Sequence, residues 1–310
     1  MSSKSVLRVA LLAGGTSSER EVSLKGAKAV HSALLELGHR VEFFDPASDL
    51  LNLVQRAKDF DVAFLVMHGP GGEDGTLQGF LDMLGLPYQG AGVLGSALAM
   101  HKGLSKILYE RVGLPVPKGK LFKKGISLAL MRDYAHSLGF PLIVKPATQG
   151  SSVGLSLVEN EYALDEAVEK AFEVDKEILL EEHLKGRELT VGILGEEPLP
   201  VVEIQHKAKF FNYETKYTPG LAEEICPAPI SKELTLTAQE YALRAHRALY
   251  LRHYSRTDMI LVEDKIFVLE TNTIPGMTET SLLPLSAKVA GLSFKDLIEK
   301  LLRLALESSS

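Results

Sequence analysis

The chain has 310 residues, 45% of them hydrophobic and 24% charged, and a net charge of -6. Length and apolar content suit roughly two globular domains, and the negative balance gives no electrostatic case for binding nucleic acid or an anionic membrane. Cys226 is the one cysteine, so no internal disulfide can form and a reducing compartment is expected.

In chain order, the apolar run Val6 to Ala13 reads as a buried strand. It is too short for the apolar region of a signal peptide and stops at Gly14-Gly15. No segment reaches the ~20 apolar residues of a transmembrane helix, so a soluble cytoplasmic protein is expected. Residues 20–37 read as a helix, with Ser18-x-x-Glu21 as a capping box. "RVEFFD" (40–45) and "DVAFLVMH" (61–68) read as the next strands, and this β-turn-α-β order predicts a parallel, doubly wound N-terminal domain. Three similar breaks follow, Gly85-Leu-Pro87, Gly113-Leu-Pro115 and Gly139-Phe-Pro141. Glycine takes the left-handed position after a helix and the proline beyond prevents its resumption. Helices should therefore end near 84, 112 and 138, each followed by an extended segment: "PYQG", "VPKGKLF" and "PLIVKP". The second half is strand-rich, with "KEILLEEHL", "RELTVGILG", "EPLPVVEI", the pair "TDMILVE" and "KIFVLETN", and a helix around 232–250. Antiparallel hairpins are expected there.

Three stretches carry chemistry. In "FVLETNTIPGMTETSLLP" (267–284) an apolar strand ends in Glu270-Thr271-Asn272. Strand side chains alternate, so Glu270 and Asn272 share a face, ~7 Å apart. A three-residue turn at Glu263-Asp264-Lys265 would set Asp258 directly opposite Glu270; a two-residue turn would put them on opposite faces, so register decides whether they meet. Two carboxylates and an amide oxygen suit Mg²⁺ carrying nucleotide phosphates; a polar hairpin end on a solvated face is the plain alternative. In "IVKPATQGSSVG" (143–154), Lys145 ends a strand before a Gly/Ser loop able to offer backbone N–H groups to phosphate. Neither a Walker A motif nor a G-x-G-x-x-G fingerprint occurs. In "MHGPGGEDGTLQG" (67–79), His68 ends a parallel strand, where α/β folds place ligands. On residue type alone His68 suits a structural role, Glu19 a helix N-terminus, and Ser151 and Ser152 plain loop hydroxyls.

Together "GGTSSEREVSL" (14–24), "HGPGGEDGTLQG" (68–79), "KPATQGSSVG" (145–154), "YETKY" (213–217), "RTD" (256–258) and "LETNTIPGMTETSLLP" (269–284) resemble the D-alanine–D-alanine ligases of the ATP-grasp superfamily. The resemblance implies an N-terminal α/β domain (1–95) followed by a two-subdomain ATP-grasp fold of α+β type (96–180 and 181–310). It implies that ATP phosphorylates a first D-alanine and that the amine of a second attacks the acyl phosphate, for peptidoglycan synthesis in a bacterial cytoplasm. Small-molecule substrates, two Mg²⁺ or Mn²⁺ ions and a homodimer belong to the same expectation.

By position, the resemblance assigns Asp258, Glu270 and Asn272 to the metal ions, with Glu270 bridging. Lys102 and Lys145 match nucleotide- and phosphate-contacting lysines. Glu181 matches the residue reading the adenine edge, beside His183 and Leu184; Glu188 matches the ribose ligand, and Lys216 a lysine reaching the transferred phosphate. Arg256 and the Gly276 N–H match the oxyanion donors. Glu19 matches the holder of the first substrate's ammonium, and His68 a histidine near the D-alanine sites. Ser281 and Leu282 match positions binding the second substrate's carboxylate, and Ser151 and Tyr217 a hydrogen-bonded pair joining Glu19. The aromatic, basic segment "KFFNYETKYTPG" (209–220) is the expected closing loop, since an acyl phosphate needs water excluded. Three departures stand out: His101 where the family often has aspartate, Gln149 where some members are acidic, and a short hairpin between Asp258 and Glu270. Competing readings are another ATP-grasp ligase, such as a D-alanine–D-lactate type, and a nucleotide-binding regulatory module without turnover.

Overall fold

The structure, a computed structural model, describes residues 6–206 and 222–307. Lys216, Tyr217 and the expected closing loop lie outside the described residues.

Strands β1 (Arg8–Ala13), β2 (Arg40–Phe44) and β3 (Val62–Val66) form a parallel sheet in the order β2-β1-β3. Every residue of β3 and all but the first of β1 are buried. Such strands, covered on both faces, read as unbroken apolar runs, which is why the sequence reveals them. Helix α1 (Arg20–Glu36) lies between β1 and β2 and buries Ala27, Val30 and Leu34. Helix α2 (Leu50–Arg56) joins β2 to β3. The same core takes Leu297, Ile298, Leu301 and Leu302 from the last helix of the described chain. The two ends of the chain therefore share one core. The capping box expected at Ser18 is absent: Glu19 holds the N-cap position, without a side-chain cap bond.

The three glycine–proline breaks end helices α3 (Thr76–Leu84), α5 (Lys102–Arg111) and α6 (Leu128–Leu138); α4 (Val93–Met100) precedes α5. Gly85, Gly113 and Gly139 have φ of 63°, 72° and 89°, the positive region that a Cβ penalises. Two of the following segments become strands, β4 (Gly119–Lys123) and β5 (Leu142–Pro146). "PYQG" makes a single parallel bridge, Tyr88 to Ala63.

With β6 (Ser156–Val158) and β7 (Glu177–Glu182) these two strands form an antiparallel sheet, β4-β7-β5-β6, whose core includes residues of α6 and α7 (Leu164–Val174). The third sheet runs β11-β10-β8-β12-β13, also antiparallel: β8 (Arg187–Leu194), β10 (Val202–His206), β11 (Ala222–Ile225), β12 (Tyr254–Val262) and β13 (Lys265–Asn272). A short β9 (Glu197–Pro198) pairs with β8. Helix α8 (Lys232–Ala248) buries Ala238, Ala242 and Ala245 against this sheet. Helices α9 (Leu282–Val289) and α10 (Phe294–Glu307) then return to the first core. Among the described residues no helix is long and apolar enough to cross a membrane.

Candidate active site

The β12–β13 hairpin decides whether the acidic residues meet. Its turn has two residues, Glu263 and Asp264, because Val262 pairs with Lys265. Of the two turns the sequence allowed, this is the one that should have kept Asp258 and Glu270 on opposite faces. A regular ladder from that turn would set Leu269, not Glu270, opposite Asp258. Instead the register shifts between Asp258 and Met259: Met259 pairs with Val268, Asp258 with Glu270, and Leu269 is left over. This β-bulge restores the face-to-face placement of the two carboxylates. Arg256 pairs with Asn272 two positions on.

Arg256 forks onto Asp258, with Nε and Nη2 each 2.9 Å from a different carboxylate oxygen. Asp258 also accepts from Thr190 Oγ1 at 2.6 Å and from Asn272 Nδ2 at 3.0 Å. Burial opposes the charge on Arg256, yet Asp258, Glu270 and Glu73 hold its pKa above the ordinary value. Glu270 lies 3.3 Å from Lys102 Nζ, whose other contact is the backbone carbonyl of Gln149 at 2.7 Å. Position 149 thus acts here through its main chain, and its side-chain amide turns away to the Val174 carbonyl.

Opposite the hairpin, the site rests on loops. Gly14 N–H donates to Ser23 Oγ, and Gly15 N–H to Asp45, which also pairs with Arg20. The turn after β1 is pinned this way, and Glu19 points inward to accept a hydrogen bond from Ser151 Oγ. Glu19 sits so close to two glycines that a side chain on either would displace its carboxylate: a Cβ on Gly150 or Gly69 would fall 2.6 Å or 2.9 Å from Glu19 Oε2. His68 is buried beside it, and its carbonyl accepts from Ser17 Oγ at 2.7 Å. Ser281 stands at the N-cap of α9, where its hydroxyl bonds Thr278, and Leu282 is the helix's first residue. A Cβ on Gly276 would come within 3.0 Å of Ser281 Oγ, so chain and hydroxyl are in close approach there.

On the antiparallel β5–β7 pair, Lys145 and Glu181 share a face and form an ion pair. A third member was not legible as a site residue. Lys106 of α5 reaches the other oxygen of Glu181 at 2.7 Å, and all three residues are buried. Burial works against the charge of Glu181, but Lys106 and Lys145 outweigh it and hold its pKa low. Lys106 itself is pulled down, mainly by burial. Lys102 and Lys106 are four apart on one helix, hence on one face; that spacing was the available signal. His101, the departure from the family's aspartate, is the N-cap of α5. Its Nδ1 accepts from Leu104 N–H at 3.3 Å and its Nε2 lies 2.7 Å from Glu177, which fixes Nε2–H as the tautomer by its partners.

A cleft of about 520 Å³ brings much of this together: its walls include Glu19, His68, Lys102, Ser151, Arg256 and Glu270, and further along Asn272, Gly276, Ser281 and Leu282. Lys145, Glu181, His183, Leu184 and Glu188 are not in its walls. They lie on β5, on β7 and the turn after it, and on β8. His183 is half-buried, and burial, then Lys185, lowers its pKa. Glu73, also missed from sequence, lines the cleft between Glu19 and Arg256. Its signal was an acidic side chain inside a run of glycines, whose N–H groups need acceptors.

Among the described residues no three His, Cys, Asp or Glu side chains cluster at metal-binding distance. The hairpin offers two carboxylates paired across the strands, with an amide beside them; Glu270 and the amide of Asn272 line the cleft, and Asp258 lies behind them, outside its walls. That donor set fits a hard cation such as Mg²⁺, which typically takes one or two carboxylates and leaves other positions to substrate phosphates and water.

The family model described as D-ala D-ala ligase C-terminus matches residues 108–303, and the one described as D-ala D-ala ligase N-terminus matches 45–91. A D-alanine–D-alanine ligase of Syntrophobacter fumaroxidans is 51% identical over 306 residues, 97% of this chain and 98% of the relative. One of Desulfotalea psychrophila is 50% identical over 310 residues, 98% and 96% of the two chains. The crystal structure of the Bacillus anthracis D-alanine–D-alanine ligase complexed with ATP superposes with a TM-score of 0.88 at 32% identity, covering 98% of this chain and 99% of that one. The VanG D-Ala:D-Ser ligase of Enterococcus faecalis superposes with a TM-score of 0.84, also at 32% identity, covering 97% and 100%. Matching family models, a shared fold and near full-length identity of about half place this chain in the D-alanine–D-alanine ligase family.

Proposed function

We propose that the protein joins two D-alanines into D-alanyl-D-alanine, with ATP as phosphoryl donor, in the cytoplasmic synthesis of peptidoglycan precursors. The observation that supports this best is the single cleft lined by Glu19, Arg256, Glu270 and Gly276, which come from distant parts of the chain. The carboxylate of the first D-alanine takes the γ-phosphoryl group, and ADP leaves. The amine of the second D-alanine then attacks the carbonyl carbon, and phosphate departs with the C–O bond electrons.

In this reading Glu19 holds the ammonium of the first substrate, oriented by Ser151 with His68 nearby. Arg256 and the Gly276 N–H face the oxygen that gains charge in the tetrahedral intermediate. Ser281 and Leu282, at the start of α9, receive the second carboxylate, where a helix N-terminus favours an anion. Lys102 and Lys145 meet the nucleotide phosphates, Glu181 the adenine edge beside His183 and Leu184, and Glu188 the ribose. Lys216 and Tyr217 would act from the segment outside the described residues. Asp258, Glu270 and Asn272 would hold two Mg²⁺ or Mn²⁺ ions, which supply charge neutralisation for the phosphates. A homodimer is part of the proposal. So is a division at 95 and 180: it places the parallel sheet in the first part and the four-stranded sheet in the second, apart from the last two residues of β7.

ADP release measured with and without D-alanine, followed by product analysis with D-serine and D-lactate as competitors, tests the reading. D-alanine-dependent ADP and a dominant D-alanyl-D-alanine product are expected. ADP release indifferent to D-alanine would overturn ligation, and preference for either competitor would overturn the choice of nucleophile.

A further inference from the structure

Glu73 has no place in the scheme above, yet it lines the cleft and accepts at once from the loop after β3 and from the segment after β13. Its Oε2 accepts the Gly69 N–H at 2.8 Å, within the glycine-rich loop after β3. Its Oε1 accepts the Ile274 N–H at 3.2 Å, 201 residues further along the chain. The loop closes on itself around this residue, since Glu73 N–H in turn donates to the Gly69 carbonyl at 3.0 Å. A carboxylate is costly to keep charged there: burial, then the neighbouring Glu19, pushes Glu73 up to about 7 despite the two N–H donors and Arg256. Two donors arriving on two oxygens give that charge a use.

We propose that Glu73 is a positioning residue: it ties the loop after β3 to the segment Ile274–Gly276 and so fixes the aim of the Gly276 N–H. The inference rests on the reading of Gly276 as an oxyanion donor. The link from Ile274 to Gly276 is short and stiff. Pro275 between them has no N–H and a φ locked near ~-65°, so pinning the Ile274 amide fixes the peptide planes that lead to Gly276. The same clamp sets the Gly69 loop, against which Glu19 packs. The ammonium site and the oxyanion site are thereby held in register by one carboxylate.

Glutamine is nearly isosteric but has one acceptor oxygen, and its NH₂ must face an N–H donor. Glu73→Gln therefore keeps the packing and breaks one arm of the clamp. The test compares this variant and Glu73→Ala with the parent by hydrogen exchange at the Gly69 and Ile274 amides, by kcat, and by KM for ATP and for D-alanine. Expected in Glu73→Gln are faster exchange at one of the two amides, a kcat lower by about 10-fold, short of the ~10²-fold seen when an oxyanion donor is lost outright, and an ATP KM within about two-fold of the parent. Glu73→Ala should free both amides and lower kcat further. Unchanged exchange at both amides overturns the clamp. Faster exchange with parental kcat overturns the positioning role, as does an equal loss in every kinetic constant tracking a lower thermal midpoint, which is mere destabilisation. The parent measured in parallel reports on the underlying reading: without D-alanine-dependent turnover there, the ligase assignment fails rather than the clamp.

Discussion

The hairpin of β12 and β13 and the loops that face it build one cleft by different means. On the hairpin, Arg256, Asp258, Glu270 and Asn272 are placed by strand register; Arg256 and Asn272 both bond Asp258, and Glu270 pairs with Lys102. On the loops, Glu19, His68, Ser151 and Gly150 are placed by glycines that admit close approach and by carboxylates that collect backbone N–H groups. A strand fixes a side chain through a ladder of bonds that no single residue controls. A loop fixes it through a few contacts, each of which can be removed alone. The hairpin should therefore respond to changes in charge, and the loops to changes in volume.

The sharpest way to break the hairpin side is Glu270→Gln, which keeps shape and register while removing a carboxylate. Turnover should fall on the order of 100-fold or more, because charge neutralisation of the phosphates is the main protein contribution to phosphoryl transfer. D-alanine binding to the free enzyme, followed by calorimetry, should be largely retained. Chelation of divalent ions should abolish parental turnover and change little in the variant. Near-parental activity of the variant at ordinary Mg²⁺ would remove Glu270 from the metal site.

Lys106→Met tests whether the buried charge cluster behind the cleft follows the same rule. Glu181 would keep Lys145 as its partner, so the loss of stability should be about 2 kcal/mol, below the ~3–5 kcal/mol for a buried charge left wholly unpaired. Lys145 would then be committed to Glu181 and less available to phosphate. The ATP KM should rise roughly 10-fold, about 1.4 kcal/mol, with the D-alanine KM unmoved. A chemical denaturation curve and the two KM values decide it: an ATP KM equal to the parent's means Lys106 is only a buried counter-ion.

These two predictions mark where the sequence was legible. The parallel strands β1 and β3 were plain because both their faces are buried, and the helix ends because glycine and proline leave a local signature. The meeting of Asp258 and Glu270 hung on a choice of turn length that the sequence left open. The turn is the two-residue one, and the bulge at Leu269 makes up for the residue it lacks. Nothing in "KIFVLETN" announces a bulge, since it is a compromise between turn and ladder. Lys106 and Glu73 were missed for a related reason: both act through partners remote in sequence, Glu181 and Ile274, which only the packed fold brings near. The capping box at Ser18 failed because the helix starts one residue later than the box requires, with Glu19 at the N-cap and its carboxylate turned to Ser151.

On the loop side, Gly150→Ala is the clean perturbation. Gly150 does not have a positive φ, so alanine brings no backbone strain, whereas Gly69 at φ 72° would. The added methyl would sit 2.6 Å from Glu19 Oε2, and the carboxylate must move. The KM for the first D-alanine should rise about 10-fold, or 1.4 kcal/mol, while the ATP KM and the thermal midpoint stay near parental values. Initial rates over a wide range of D-alanine separate the two substrate sites. If the first-site KM is unchanged, Glu19 has room to yield, and the loops are less tightly set than their contacts imply.

The smallest effect is expected at His101, where a helix end sits between the two regimes. The imidazole does two things: its Nδ1 caps α5 by accepting the Leu104 N–H, and its Nε2–H meets Glu177, which also pairs with Lys123. An aspartate in its place would keep the cap and favour the helix N-terminus. It would also exchange an attractive contact with Glu177 for a repulsive one. His101→Ala loses both contacts and should cost about 1–2 kcal/mol, the upper range for a lost cap. His101→Asp should lie within about 0.5 kcal/mol of the parent at high salt, where the repulsion is screened, and fall below it at low salt. Lys102, the first residue of α5, should keep its place in the Asp variant, so the ATP KM should change less than about three-fold. Thermal midpoints of the parent and both variants across a salt series decide the matter. If His101→Asp is as unstable as His101→Ala even at high salt, the cap contributes nothing, and the histidine serves this helix only through Glu177.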